Sequence, residues 1–241
     1  MPIVQANGIN IYYELHGKGD PLLLIDGLAS DLTQTEGMVR TLSEKRQVIA
    51  FDNRGAGRTD KPDVPYSIEM MAEDTVRLLD ALHISRADVL GISMGGRVAV
   101  SLALNHPEVA KSLILASTSP KMTYHRGILW SFSNLLVRIP MVRAVGSKYP
   151  QPYYAYVRQR EASHGYDVAE RLKEIRVPTL ILHGKKDRIV PYKLAEEMHA
   201  GIAGSELIVF DGGHLFPFSK LKEFTSSVEG FLGRQIPRTP D

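Results

Sequence analysis

The residues LGISMGG, positions 90 to 96, set one serine between glycines, with Gly91 two residues before Ser93 and Gly95 two after. An apolar run leads into the serine and another follows it, so a buried strand hands over to a helix at this point. Such a sharp turn crowds the flanking side chains, and glycine at 91 and 95 relieves the crowding. The serine is then held at the tip, beside the free N–H groups of the new helix. Gly-x-Ser-x-Gly between strand and helix is the pattern of a nucleophile elbow, and its chemistry is attack of a hydroxyl on an acyl carbon.

A serine hydroxyl is a weak nucleophile near neutral pH. It needs a base within hydrogen-bond reach and a third group to orient that base. An elbow serine is expected to be followed in the chain by Asp or Glu and then by His. LILHGKKDRIVP places Asp187 on a loop after one strand, and LIVFDGGHLFPF places His214 on a glycine-flanked loop after the last strand. From strand ends, side chains converge on the crevice outside the sheet. Among competitors, Asp211 suits a turn former, and His183 suits packing or a backbone hydrogen bond. Asp52, in FDNRGAGRTD, precedes Ser93 and looks like a partner for Arg54 or a turn cap. His16, His83, His106, His125, His164 and His199 lack a strand-end setting.

The developing oxyanion requires donors as well, because losing one typically costs ~10² or more in rate. The Met94 amide, next after the nucleophile, is one candidate. The Leu28 amide, in the turn IDGLAS after the third strand, is the other, with Gly27 and Ala29 leaving that turn room to approach the substrate.

These residues depend on elements that the sequence also marks. IVQA and INIYYEL flank Asn7-Gly8, a pair that readily takes positive φ in a tight hairpin. PLLLID, QVIAFD and ADVLGIS are short apolar runs suited to strands buried on both faces. From Ser67, a plausible N-cap, Ile68, Met71, Val76, Leu79 and Leu82 fall at roughly helical spacing. A helix from about Met94 to Asn105, the strand KSLILAS, the strand PTLILHG, a helix near Lys193 to His199 and the strand SELIVF continue the alternation. Strands alternating with helices imply an α/β architecture: a mostly parallel sheet covered on both faces. The tail GRQIPRTPD reads as frayed.

Length and composition set bounds. The 241 residues fit one large domain with room for a small insertion, and 29 basic against 27 acidic residues leave a net charge of +2. That balance argues against nucleic acid or an anionic membrane as the main partner. Without cysteine there is no disulfide framework, thiolate nucleophile or Cys-ligated zinc. No basic segment followed by a long apolar run opens the sequence, and no apolar run reaches membrane-spanning length, which predicts a cytoplasmic protein.

Residues 119–177 differ in composition. They hold eight of the 18 aromatics, Tyr124, Trp130, Phe132, Tyr149, Tyr153, Tyr154, Tyr156 and Tyr166, with ten Lys or Arg against four Asp or Glu. This reads as a helical insertion over the carboxyl edge of the sheet, in which any single aromatic more often fills a small core than meets a ligand. Gly27, Trp130 and Tyr154 are the candidate substrate contacts.

With these residues in hand the chain resembles the α/β-hydrolase superfamily, in its branch of small ester, lactone and carbon–carbon bond hydrolases. The resemblance rests on the opening hairpin, FDNRGAGRTDKP, GISMGG, LHGKKDRIVP and GGH, in order and at family-like spacing. It implies a mostly parallel eight-stranded sheet with helices on both faces, a core of residues 1–118 and 178–241, and a small helical cap over 119–177. It also implies a Ser93–His214–Asp187 triad, acyl transfer to water without metal or organic cofactor, a small-molecule acyl substrate and a possible homo-oligomer. Two departures stand out. Asp26 occupies a position where the family usually has His before Gly, and the cap is short.

Three readings follow. The first is hydrolysis of a small carboxylic ester or lactone. The second uses the same triad on a vinylogous diketone, a thioester, a peracid or an amino-terminal proline peptide, the last disfavoured by a basic cap. The third is a ligand receptor or signalling member with slow turnover, favoured if Asp26 spoils the oxyanion site.

Overall fold

The computed structural model describes residues 2–122 and 147–235. Its eight strands are β1 (Ile3–Ala6), β2 (Ile9–His16), β3 (Pro21–Ile25), β4 (Gln47–Phe51), β5 (Ala87–Ile92), β6 (Ala110–Ala116), β7 (Thr179–Gly184) and β8 (Glu206–Phe210). They form one sheet in the order β1-β2-β4-β3-β5-β6-β7-β8. β1 and β2 pair antiparallel, as do β2 and β4, and every other pairing is parallel. Asn7 and Gly8 turn the opening hairpin with φ of 48° and 75°, the left-handed pair the Asn-Gly sequence predicts.

Alternation along the strands builds two cores. Leu23, Ile25, Ile49, Phe51, Val89 and Leu113 point to one face, where α2 (Ile68–Ala81), α3 (Met94–Asn105) and α5 (Tyr192–Gly201) cover them. Leu22, Leu24, Val48, Ala50, Leu90 and Ile114 point to the other, under α1 (Leu32–Leu42) and α7 (Leu221–Gln235). Period-2 side chains with helices on both faces give the three-layered α/β arrangement expected from the sequence.

The helices begin where the sequence provides caps. Ser67 accepts the Met70 amide at the start of α2. Asp31 and Gln34 form a reciprocal capping box at the start of α1. Between β6 and β7 the chain passes through α4 (Tyr153–Gly165) and a 3₁₀ turn (Ala169–Glu174), and a short α6 (Phe216–Ser219) precedes α7. The tail differs from its frayed expectation over its first three residues, since Gly233 to Gln235 continue α7. Among the described residues, no helix is long and apolar enough to cross a membrane.

Candidate active site

Ser93 stands between β5, fully buried near the middle of the sheet, and α3. Its φ of 55° and ψ of −117° are unusual for a residue with a Cβ. Backbone strain of this kind costs on the order of 1–3 kcal/mol and persists only where the surroundings enforce it. They do so here: Ser93 N donates to Ala116 O at 2.9 Å, and Thr118 Oγ1 donates to Ser93 O at 2.6 Å. The flanking glycines are required by close approach. A Cβ on Gly91 would lie 2.5 Å from Gly95 O, and one on Gly95 would lie 2.1 Å from Ile25 O. The crowding at Gly95 therefore comes from the end of β3, and that at Gly91 from the elbow itself.

His214 lies between the other two candidate residues. Its Nε2 is 3.0 Å from Ser93 Oγ and its Nδ1 is 2.8 Å from Asp187 Oδ2. A neutral imidazole that donates from Nδ1 to the carboxylate leaves the Nε2 lone pair to accept from the serine hydroxyl, which fixes the tautomer by its partners. Burial alone would raise the Asp187 carboxyl, but the bond with His214 and the amides of Val190 and Ile189 outweigh it and hold the group below its ordinary range. The two loops are locked together. A Cβ on Gly184 would lie 2.5 Å from Gly212 O, Lys186 N donates to Gly212 O at 2.9 Å, and Ser117 Oγ donates to His214 O at 2.8 Å.

The turn after β3 reaches the same place. A Cβ on Gly27 would lie 3.3 Å from Ser93 Cβ, so this backbone passes against the serine side chain. No hydrogen bond of the Leu28 amide is present among the described residues. The Met94 amide, first in α3, has no intrahelical acceptor. Asp26 is 2% exposed and its Oδ1 accepts the Gly27 amide at 2.7 Å. Burial pushes its carboxyl up to about 7 against the opposing bonds from Gly27 and Ser30, and the nearby Asp52 and Asp31 raise it further. Asp26 thus braces the turn through its backbone.

The remaining candidates are described by their own contacts where the structure describes them. Tyr154 donates its hydroxyl to Lys61 O at 2.7 Å and is 40% exposed. Trp130 lies outside the described residues. His183 is fully buried and hydrogen-bonds through Nε2 to Val190 O at 2.9 Å, the backbone role expected for it. Asp211 pairs with Lys186 at the surface. Of the two roles expected of Asp52, the turn cap holds and the pairing with Arg54 does not. Asp52 accepts the Leu32 and Arg58 amides and pairs with the Arg58 side chain, while Arg54 pairs with Asp74, because the glycine-rich loop folds Arg58 rather than Arg54 back over Asp52. Among the described residues, no group of three or more His, Asp or Glu side chains is placed to hold a metal ion.

Three residues at the site carry no local signal in the sequence. Ser117 and Thr118 grip the His214 and Ser93 carbonyls, and Gln159 of α4 accepts the Ala29 amide at 3.2 Å. Their partners are distant in the chain, and only the folded contacts reveal them.

The chain is similar to known hydrolases. Residues 20–136 match the family model described as alpha/beta hydrolase fold, and residues 83–225 match the one described as serine hydrolase (FSH1). RutD of Azorhizobium caulinodans, named for carbamate hydrolysis, is 29% identical over 97% of this chain and 98% of its own. The crystal structure of an enol-lactonase from Burkholderia xenovorans LB400 superposes with a TM-score of 0.85 at 26% identity, covering 96% of this chain and 100% of the other. The esterase EaEST from Exiguobacterium antarcticum gives a TM-score of 0.86 at 28% identity, over 96% of this chain and 98% of that one. The chain belongs to the α/β-hydrolase superfamily.

Proposed function

We propose that this protein is a serine hydrolase that cleaves a small carboxylic ester or lactone through an acyl-enzyme. The observation that carries the reading is the continuous relay from Ser93 Oγ to His214 Nε2 at 3.0 Å and from His214 Nδ1 to Asp187 Oδ2 at 2.8 Å. The lactonase and esterase likenesses support the bond class.

In this mechanism Ser93 Oγ attacks the acyl carbonyl while His214 Nε2 takes the hydroxyl proton. Asp187 stabilises the imidazolium so formed. The carbonyl electrons move onto oxygen, where the Leu28 and Met94 amides meet the charge. Collapse of the tetrahedral intermediate expels the alkoxide, which takes the proton from His214. Water then attacks the acyl-enzyme, giving its proton to His214, and collapse breaks the bond to Ser93 Oγ, which regains that proton from His214 as the acid leaves. In this reading residues 1–118 and 178–241 are the core and 119–177 the cap, of which residues 123–146 lie outside the described residues.

Hydrolysis of p-nitrophenyl acetate and butyrate by wild type and Ser93→Ala tests the reading. Wild type should turn over and the variant should lose at least about a thousandfold, as expected when a nucleophile is removed. A variant that keeps a tenth of wild-type turnover overturns the assignment.

A further inference from the structure

The Leu28 amide sits in a turn whose conformation is not the one its sequence prefers. Ser30 N closes onto Gly27 O at 3.4 Å, and Ala29, the third residue of the turn, has φ of 63°. That combination is characteristic of a type II turn, whose third position favours glycine. A residue with a Cβ meets steric resistance in the left-handed region that glycine does not. Left to itself, Ala29 would rotate out of the left-handed region and carry the backbone of Leu28 with it.

A side chain 130 residues further along the chain opposes that rotation. Gln159, completely buried on α4, accepts the Ala29 amide through Oε1 at 3.2 Å and donates through Nε2 to Arg54 O at 2.7 Å. One end of its amide needs a donor and the other an acceptor, so the group cannot turn over without losing both bonds. Gln151 adds a second strut. Its Nε2 donates to Gln159 Oε1 at 3.1 Å and to Gly55 O at 2.7 Å. On the other side of the turn, Asn53 Nδ2 donates to Asp26 O at 2.9 Å. The residue before Gly27 is therefore held from the loop after β4, and the residue after Leu28 is held from α4.

We infer that Gln159 is a positioning residue for the oxyanion site, holding Ala29 in its left-handed conformation and through it the neighbouring Leu28 amide. The inference rests on the reading that the Leu28 amide meets the oxyanion. It makes the seating of α4 on the loops after β3 and β4 and the competence of the turn a single condition. A side chain that never touches substrate then sets the rate of the chemical step.

Gln159→Leu and Ala29→Gly, made singly and together, test this. Glycine adopts positive φ at no steric cost, so a turn with glycine at position 29 no longer needs the glutamine. With p-nitrophenyl acetate, Gln159→Leu should lower kcat by about tenfold, short of the ~10² seen when an oxyanion donor is deleted outright, with KM little changed. The same substitution in the Ala29→Gly background should cost less than half that factor. Amide exchange of Ala29, followed by NMR, should be slow in wild type and at least about tenfold faster in Gln159→Leu, because its acceptor is gone. Equal kcat losses in both backgrounds, a loss confined to KM and thermal stability, or unchanged Ala29 exchange would overturn the inference. If Ser93→Ala retains turnover, the catalytic reading fails on its own terms, and the Ala29 exchange rate alone decides whether Gln159 holds the turn.

Discussion

Asp187 divides its two oxygens between chemistry and structure. Oδ2 accepts a hydrogen bond from His214 Nδ1 at 2.8 Å, while Oδ1 accepts the amides of Ile189 and Val190 at 2.8 and 2.9 Å. The carboxylate that orients the imidazole is thus also the post around which its own loop is wound.

Asp187→Asn and Asp187→Ala should separate these roles. Asparagine can still accept both amides but no longer fixes the imidazole tautomer, so kcat should fall by about 10³–10⁴ with little change in Tm. Alanine leaves two amides without their acceptor and should lose the same activity plus a further ~1–3 kcal/mol of stability. The pH dependence follows from a carboxyl held below its ordinary range. Its stabilising effect is fully present above the unfolded value of about 4 and is lost as pH falls through the depressed folded value. Thermal melts of wild type and both variants between pH 3 and 8 check this, with the wild-type advantage over Asp187→Ala shrinking only at the acid end.

Asp26 carries the opposite sign. Its folded carboxyl titrates at about 7, above the unfolded value, so the folded chain holds a proton that the unfolded chain has released. Between about pH 4 and 7 this group costs progressively more stability as pH rises, and above 7 the cost is complete, at most a few kcal/mol. Asp26→Asn keeps an acceptor for the Gly27 amide without the buried charge. The variant should gain Tm relative to wild type at pH 8, by several degrees, and gain little at pH 4.5. An equal difference at both pH values would show that Asp26 is ionised throughout.

The glycines divide in the same testable way. A Cβ at Gly95 meets Ile25 O at 2.1 Å and Asp26 O at 2.6 Å, both backbone atoms at the end of a central strand. Gly95→Ala should therefore destabilise by about 3 kcal/mol or more, since neither side can yield. At Gly27 the nearest atom is Ser93 Cβ at 3.3 Å, and the backbone is not in the left-handed region. Gly27→Ala should fold with a Tm within a few degrees of wild type and lose kcat, because the added methyl presses on the nucleophile. Chemical denaturation of both variants beside their esterase rates distinguishes the two costs.

The elbow, the strand ends and the order Ser93, Asp187, His214 were legible because each leaves a local mark. An apolar run stops, glycine follows, and a polar residue stands at the carboxyl end of a strand. Helix α2 was legible from its Ser67 cap and its spacing, and α3, read from the elbow, spans the expected Met94 to Asn105. Helix α1 was not read from the sequence, although the Asp31–Gln34 capping box and the buried Leu32, Met38, Val39 and Leu42 mark it locally. Contacts made only by folding left no such mark. Ser117 and His214 are 97 residues apart, and Ala29 and Gln159 are 130 apart. The shift at Asp26 is likewise invisible in the chain, because it comes first from burial and then from carboxylates that the fold brings near.

The most direct test of the central claim is to treat the protein with a fluorophosphonate and locate the adduct by mass spectrometry of its peptides. Such a reagent phosphonylates a serine activated by a neighbouring base, independently of which ester the enzyme prefers. The account predicts one adduct, on Ser93, absent in Ser93→Ala and slowed by at least about a hundredfold in His214→Ala. An adduct on another residue, or a folded wild-type protein that stays unlabelled, would contradict it.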